Sequence, residues 1–173
     1  MHYAIAMFEV AKEEKKLEEY TSELTFVNEV FLASKDLGKF LVSPLVTHEE
    51  KENLLDEHFS KRLSKATLGF LKILSKKGIA NYYPQIYLEY KHLYNEENKI
   101  LEGIIYSAFT LSDKNVEKIK EVFEKKLDRK IVFQVKIDPK VIAGMKIFVA
   151  DTMYDYSINS KIETIKDKLV YKD

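Results

Sequence analysis

The spacing of apolar residues changes near residue 100, and this change divides the chain into two kinds of structure. Upstream of Asn98, apolar side chains recur every three or four residues, which predicts amphipathic helices. Downstream, residues 100–109 are strand-like, a helical pattern follows, and residues 131–137 alternate between apolar and polar. We therefore expect an all-α six-helix bundle over residues 1–99 and a small α/β domain over residues 100–173.

Start and stop signals indicate where the helices of the first part lie. Thr47 and Glu50 have the spacing of a capping box, and Lys76-Lys77-Gly78 is typical of a helix C-terminus. We expect one short helical turn at 36–41 and a helix beginning at Thr47. The other helices are predicted over residues 3–20, 22–34, 61–77 and 82–95.

The second part reads as strand, helix, strand, strand and helix. Ser112 is the expected N-cap of its first helix, and Asp138-Pro139 ends the 131–137 strand because proline cannot extend a sheet ladder. Gly144 is expected to adopt φ > 0 or to allow a close backbone approach, whereas Ala143 is expected at φ < 0. Further features follow in order: a strand over 145–149, a turn at Asp151 and Thr152, and a last helix capped by Ser157 that carries Ile158, Ile162, Ile165 and Leu169.

Composition excludes several classes of function. Lys+Arg and Asp+Glu both number 28, so the chain lacks the basic excess that drives binding to nucleic-acid backbones. There is no cysteine, which excludes disulfides, thiolate catalysis and thiolate metal sites. No apolar run approaches the ~20 residues needed to span a bilayer. We expect a soluble protein without direct membrane insertion, linked to a membrane only through a partner.

No group of residues predicts catalysis or cofactor binding. Asp151 and Asp155 are better interpreted as turn carboxylates than as a paired acid and base, because no third group orients them. The sixth helix carries an aromatic side, which we interpret as core packing because a base-stacking site also needs a positive groove. We expect no catalytic residue, no metal and no cofactor. Four histidines lack metal-site spacing and are expected at the surface: His2, His48, His58 and His92.

Three segments, in order along the chain, carry a resemblance to a known family. The first is the tyrosine-alanine helix of residues 3–11, and the second is Gly69-Phe70-Leu71-Lys72-Ile73-Leu74, followed by Gly78 and Pro84. The third surrounds the strand 145–149 and matches at Asp138, Ile142, Gly144, Asp151, Asp155 and Ser157. With these segments the chain resembles the delta subunit family of F-type ATP synthases, called the oligomycin-sensitivity-conferring protein in mitochondria.

The resemblance implies a non-catalytic stator subunit, present in one copy at the cytoplasmic face of the bacterial inner membrane. In this family the N-terminal bundle holds N-terminal helices of the alpha subunits with its first and fifth helices, and the C-terminal domain meets the ends of the b subunits. The six matched residues of the third segment, which we call the signature residues, would then be structural or in contact with the stalk. The residues implied as candidates for alpha-subunit binding are Tyr3, Ala4, Met7, Phe8, Ala11, Phe70, Ile73 and Leu74.

Two other functions stay open at this point. The strand-helix-strand order of the second part superficially suggests a ferredoxin-like sheet, and hence an RNA-binding or other protein-interaction module. The neutral charge and the absence of an aromatic-glycine strand motif argue against RNA binding. An unrecognised enzyme is the second alternative, which bound nucleotide or metal in the purified protein would support.

Overall fold

The computed structural model describes residues 2–141, 143–158 and 160 of the 173-residue chain. The chain forms two compact units, Met1–Asn95 and Glu96–Asp173. The first unit is helical and the second contains a four-stranded sheet. A helical N-terminal region followed by a small α/β part is therefore the architecture, as the change of period predicted.

The helices of the first unit follow the predicted apolar patterns. They are α1 His2–Glu13, α2 Leu17–Ala33, α3 Lys35–Val42, α4 His48–Phe59, α5 Lys65–Lys76 and α6 Tyr83–Glu97, with a 3₁₀ turn Ala80–Tyr82 before α6. The predicted capping box is confirmed, because the Glu50 N–H donates to Thr47 Oγ1 at 3.2 Å while the Thr47 N–H donates to the Glu50 carboxylate at 2.9 Å.

Two predicted helix boundaries are wrong, and one short helix is longer than expected. The first helix does not continue to Tyr20, because the chain turns after Glu13 with Lys15 at φ 56°. The short helical turn expected at 36–41 is present as the eight-residue helix α3. Helix α5 begins at Lys65 rather than at residue 61, because the Ser64 hydroxyl caps it by accepting a hydrogen bond from the Thr67 N–H at 3.3 Å.

The aromatic side of α6 packs into the helical core. Tyr83, Tyr87 and Tyr90 are each at most 7% exposed, and each hydroxyl has a partner on α2. The Tyr83 hydroxyl donates to the Leu24 carbonyl at 3.0 Å. Tyr87 and Tyr90 share hydrogen bonds with Thr25 and Thr21 at 3.0 and 3.2 Å. These contacts bury the aromatic rings without leaving their polar ends unpaired.

The second unit is a mixed sheet with one described helix. Its elements are β1 Ile100–Ser107, α7 Asp113–Leu127, β2 Lys130–Ile137, β3 Met145–Val149 and β4 Thr152–Asp155. The strand order is β2-β1-β3-β4, with β1 parallel to β2 and antiparallel to β3, and β3 antiparallel to β4. Helix α7 crosses between the parallel strands and buries Phe123 against one face of the sheet.

The second unit differs from the prediction at several described places, two of which concern its helices and strands. The segment after β3 is a hairpin: Ala150 and Asp151, at φ 50° and 59°, form a two-residue turn, and β4 follows it. Ser112 occupies the N-cap position of α7, but its side chain makes no capping hydrogen bond. Ile162, Ile165 and Leu169 of the predicted last helix lie outside the described residues.

Candidate partner-binding surfaces

The residues predicted to contact a partner on α1 and α5 differ in their exposure. Ile73 is 52% exposed, and Tyr3 and Phe8 are half-buried. The others are core residues, each at most 9% exposed: Ala4, Met7, Ala11, Phe70 and Leu74. A partner can therefore reach these helices at their edges, and not at the faces that fill the core.

Helix α1 has one occupied edge and one accessible edge. The Phe8 ring packs edge-to-face against Tyr90 of α6, with ring centroids 6.0 Å apart. Val10 follows two positions later, roughly 200° around the helix axis. It belongs to a set spaced three, four and three residues apart, which lies in one row along the helix. This α1 row consists of Tyr3, Ala6, Val10 and Glu13, of which the last three are exposed.

Helix α5 has a matching arrangement. Lys72 forms a 2.7 Å ion pair with Asp56 of α4, so its edge of the helix faces α4. The other edge carries a second row with the same spacing, which we call the α5 row: Ala66, Gly69, Ile73 and Lys76. A Cβ added to Gly69 would have no heavy atom within 4 Å, so the surface above this residue is open.

The two rows adjoin one crevice in the core. Met7 of α1 and Phe70 of α5 both line it, and it is too narrow to admit a water molecule. In each helix the crevice residue has its row neighbours four positions before and three positions after it. These neighbours are Tyr3 and Val10 in α1, and Ala66 and Ile73 in α5. Each row therefore lies beside a core residue that lines this crevice, Met7 in α1 and Phe70 in α5.

Polar side chains join the end of α1 to the start of α5. The Tyr20 hydroxyl donates a hydrogen bond to Glu14 and lies beside Ser64, the N-cap of α5. The bond to Glu14, reinforced by burial, raises the pKa of Tyr20 to about 12. The Glu23 carboxylate accepts from the Ser64 N–H at 2.7 Å and from its hydroxyl at 2.8 Å. Because the crevice joins the middles of the two helices, α1 and α5 run in opposite directions.

Sequence reasoning found only part of the two rows. It named Tyr3 and Ile73 but missed the small and aliphatic members Ala6, Val10, Ala66 and Gly69. The available signal was a second apolar row beside the main buried face of each helix. Small residues at such positions resemble the alanines and glycines of any helix surface. The sequence pattern is therefore a weak signal unless the position of the neighbouring helix is also known.

Signature residues of the second unit meet where β4 ends. Gly144 has φ 118°, and a Cβ there would lie 2.8 Å from the Ser157 Cα. Asp155 accepts a hydrogen bond from the Ser157 N–H at 2.8 Å and pairs with Lys146 Nζ at 3.1 Å. Ser157 first, and then Lys146, hold the pKa of Asp155 below its ordinary value against the opposing effect of burial. These residues form one junction between the start of β3 and the end of β4.

The neighbouring signature positions also contact the chain's own backbone. Asp138 accepts a hydrogen bond from the Lys140 N–H at 2.9 Å, and Asp151 lies in the hairpin turn. Ala143 has φ 45°, so the expectation of a negative φ is wrong. Its carbonyl accepts a hydrogen bond from the Ile158 N–H at 2.9 Å. Ile142 lies outside the described residues.

The described part of the chain contains no cluster of three or more His, Asp or Glu side chains that could hold a metal ion. His2, His48, His58 and His92 are all exposed, as expected. Asp155 lies at the end of β4 rather than in a turn, and its carboxylate is engaged by Ser157 and Lys146. Among the described helices, none is long and apolar enough to cross a bilayer.

Comparisons with known proteins agree over almost the whole chain. The family model for the ATP synthase delta (OSCP) subunit matches residues 1–169. ATP synthase subunit delta of Chlorobaculum parvum is 32% identical over 168 residues, which cover 97% of this chain and 93% of that protein. The same subunit of Clostridioides difficile is 30% identical over 168 residues, covering 96% and 93%.

A solved structure shows the same fold at low sequence identity. A chain in the cryo-EM structure of the Toxoplasma gondii mitochondrial ATP synthase hexamer superposes with a TM-score of 0.72 at 16% identity. The match covers 99% of this chain and 97% of the other. Taken with the family model and the bacterial relatives, this chain belongs to the ATP synthase delta (OSCP) subunit family, whose members are non-catalytic stator subunits of F-type ATP synthases.

Proposed function

We propose that this subunit joins the catalytic head of an F-type ATP synthase to the b subunits of the peripheral stalk. Residues 1–99, as a six-helix bundle, bind N-terminal helices of the alpha subunits, and residues 100–173 bind the b-subunit ends. One copy serves each complex, at the cytoplasmic face of a bacterial inner membrane. Family membership supports the stator role, and one accessible surface on each unit supports the two contacts.

The accessible apolar rows of α1 and α5 are the observation that carries the head contact. They lie on either side of the crevice lined by Met7 and Phe70, and their central members are apolar or small. Ile73 and Val10 are 52% and 38% exposed, so a partner helix that covers them removes apolar surface from water. An amphipathic helix fits this surface, since its apolar side chains recur at the spacing of the rows.

Strand register supports the stalk contact on the second unit. Phe148 of β3 lies between Ile104 of β1 and Met153 of β4, on the sheet face opposite α7. Phe148 is 39% exposed and Met153 is 53% exposed. Tyr106 packs edge-to-face on Phe148, with ring centroids 5.6 Å apart, and extends the apolar area. We assign this face to the b-subunit ends.

A joint that resists torque needs slow dissociation, and two separate contacts provide it. A Kd of about 1 nM corresponds to roughly −12 kcal/mol. When each unit holds a different partner within one complex, release of one contact leaves the other in place, and rebinding occurs at a high effective concentration. The subunit therefore connects head and stalk more durably than either contact alone.

The test of the head contact is calorimetric titration of the protein with a synthetic peptide of the same organism's alpha-subunit N-terminus. We expect one-to-one binding with a sub-micromolar Kd. Gly69→Leu should fill the open surface above α5 and weaken binding by at least tenfold, which corresponds to about 1.4 kcal/mol. The same change should leave the fold as stable or more stable, because leucine has the higher helix propensity.

Gly69→Ala is the matched control, since it gains helix propensity with only one added methyl group. It should bind the peptide within about threefold of the wild type, a difference of roughly 0.7 kcal/mol. The absence of heat at high micromolar wild-type peptide would contradict the head contact. Unchanged binding by Gly69→Leu would remove α5 from the contact and leave the stator role to other surfaces.

A further inference from the structure

We propose that the outer edge of β2, from Phe133 to Ile137, binds an extended polypeptide segment as an added strand of the sheet. The segment carries apolar side chains at alternate positions, with a basic residue on the side of α7 and an acidic residue on the other side. The proposal does not rest on the head contact or on the stalk contact, because its residues belong to neither surface.

The outer edge of β2 is identified by the direction of its main-chain groups. The strand order β2-β1-β3-β4 places β2 at one side of the sheet, and main-chain groups of successive residues point to alternate sides of a strand. The Asp138 N–H, just beyond β2, donates to the Ser107 carbonyl of β1 at 2.9 Å. The Ile131 N–H points away from β1 and donates to the Glu124 carboxylate of α7 at 2.9 Å. Odd-numbered residues of β2 therefore direct their N–H and carbonyl groups outward.

Glu124 occupies only the start of this edge. Phe133, Val135 and Ile137 share the outward direction of Ile131, and within the described chain no group accepts a hydrogen bond from their N–H groups. A second strand pairs with such a row completely, because its own donors and acceptors have the same spacing. The edge is thus open over the second half of β2.

A cleft lies beside the open part of the edge. The side chains of Phe133, Val135 and Ile137 form its floor, the start of α7 forms its wall, and its volume is about 440 Å³. Exposure on this side of β2 rises along the strand, from 1% at Ile131 beneath α7 to 59% at Ile137. The floor residues recur at every second position over roughly 13 Å, the spacing of alternate side chains in a neighbouring strand. The cleft therefore has room for the apolar side chains of an added strand.

Charges on the two sides of the edge indicate which polar side chains the segment carries. Asp113 and Glu117 of α7 line the cleft. Glu117 forms a 3.1 Å ion pair with Lys120, which leaves Asp113 as the carboxylate without an ion pair in the described chain. Lys136 is exposed on the opposite face, in register with Tyr106 of β1. A basic residue toward α7 and an acidic residue beside Lys136 complement both sides.

A second copy of this chain fits the edge less well. Antiparallel pairing of two β2 strands about Phe133 would set Lys130 of each copy opposite Lys136 of the other. Like charges directly opposite each other are destabilising, and lysine is one of the residues that protect sheet edges from pairing with each other. The two lysines therefore disfavour self-association and leave the edge available to a segment of complementary charge.

The test uses the full-length protein and a seven-residue probe peptide, acetylated at its N-terminus and amidated at its C-terminus. The probe has valine at its second and sixth positions, glutamate at its third, lysine at its fourth and threonine elsewhere. NMR titration should give a Kd of about 1 mM or lower. At a probe concentration of about ten times the Kd, hydrogen exchange of the Phe133, Val135 and Ile137 amides should slow about tenfold. The Val132 and Gln134 amides, which face β1, should exchange slowly with or without the probe.

N-methylation of the probe tests whether main-chain hydrogen bonds hold it. One peptide is methylated at the amides of its second and fourth residues, and another at those of its third and fifth. Because alternate amides of a strand point to opposite sides, one peptide should bind about tenfold more weakly or worse, while the other stays within about threefold of the probe. This contrast holds whichever direction the added strand runs, and equal effects of the two methylated peptides would contradict strand addition.

Val135→Pro is the matching change in the protein. It removes one outward N–H and leaves the bonds to β1 in place, which is the position where a sheet tolerates proline. It should weaken probe binding about fivefold or more with little change in urea unfolding of the second unit. Asp113→Asn should weaken binding about twofold at low salt. Glu121→Gln is its control, because Glu121 is exposed on α7 outside the cleft and its loss should leave binding unchanged.

The results separate the proposed site from its alternatives. Protection confined to the outward amides of β2, together with the contrast between the methylated probes, supports strand addition even if Val135→Pro fails to fold. No NMR shift at about 5 mM probe, or protection at β4 instead of β2, overturns the proposal. A dimer in sedimentation that Val135→Pro abolishes would assign the edge to a second copy and also overturn it.

Discussion

The helix rows of the first unit and the signature junction of the second unit both depend on a glycine, but for opposite reasons. Gly69 lies in a helix with open space where a Cβ would be, so the missing side chain leaves room for another molecule. Gly144 has φ 118° and lies against the backbone of Tyr156 and Ser157, so its missing side chain leaves room for the chain itself. One position is free to change without harm to the fold, and the other is not.

The difference between the two glycines explains why a residue in a recognisable sequence motif need not lie near a partner. The signature residues Asp155 and Ser157 make their contacts within the second unit. The rows, which have no comparable motif, present apolar atoms that nothing in their own unit covers fully, as at Ile73. A recognisable sequence motif therefore indicates a constraint on the backbone. An interaction surface made of small and aliphatic residues has no such motif, because its sequence resembles that of any exposed helix face.

The largest effect expected is the contrast between two alanines of α1. Ala11 is 0% exposed, so Ala11→Asp places a charge in the helical core and should destabilise the first unit by about 4 kcal/mol. Ala6 is exposed in the α1 row, and Ala6→Asp should change stability by less than about 1 kcal/mol while weakening peptide binding. Circular dichroism during urea unfolding measures the first effect, and calorimetric titration measures the second.

If Ala6→Asp unfolds at the same reduced urea concentration as Ala11→Asp, the α1 row belongs to the core. An Ala6→Asp variant with wild-type affinity would instead remove the α1 row from the binding surface. Either result breaks the distinction between the accessible rows and the buried faces on which the head contact depends.

The second effect compares the two glycines. Gly144→Ala should destabilise the second unit by about 3 kcal/mol, because the new Cβ meets the backbone of Tyr156 and Ser157 and because alanine is strained at this φ. Gly69→Ala should stabilise the first unit by up to about 1 kcal/mol. Amide signals of β3 and α5 in NMR spectra recorded across a urea series report each unit separately. Equal responses of the two variants would contradict the contrast.

Patterns with a single local cause were predictable from the sequence. The capping box at Thr47, the end of β2 before Asp138-Pro139 and the positive φ of Gly144 follow from the chemistry of one or two residues, and the structure has all three. The aromatic side of α6 was predicted as core because a base-stacking site would also need a positive groove. Such features need no knowledge of distant parts of the chain.

Features set by tertiary contacts were not predictable. The hairpin turn at Ala150 and Asp151 lacks the usual Asn-Gly pair, so β4 was interpreted as a turn. The break between α1 and α2 is stabilised by the Tyr20 bond to Glu14, which a charged helical pattern does not reveal. The accessible rows could not be separated from the core because both are apolar at helical spacing, and only the packing of Phe8 and Lys72 identifies the occupied edges.

A smaller effect is expected at the junction carboxylate. Asp155→Asn should destabilise the second unit by about 1 kcal/mol at neutral pH, through loss of the charge-assisted bond from the Ser157 N–H and of the Lys146 pair. Because the folded pKa of Asp155 is depressed, its contribution is present above the ordinary aspartate pKa and is lost as pH falls through the folded value. The difference between wild type and variant should therefore vanish in acid.

Urea unfolding of the second unit at several pH values between neutral and strongly acid measures this difference. Lys120→Met is a suitable control, since the Lys120 pair with Glu117 is exposed on α7 and contributes little. A difference between wild type and Asp155→Asn that persists in strong acid would assign the effect to side-chain shape rather than to charge.

The smallest effect is a gain in stability at Ala143. An alanine at φ 45° is strained by about 1 kcal/mol, whereas glycine adopts this conformation freely. Part of the gain is offset because glycine also increases the entropy of the unfolded chain. Ala143→Gly should therefore stabilise the second unit by roughly 0.5 kcal/mol and leave peptide binding by the first unit unchanged, as measured by urea unfolding and titration. A loss of stability would mean that the alanine methyl group makes a packing contact worth more than the strain, and the junction would then depend on side-chain packing as well as on backbone geometry.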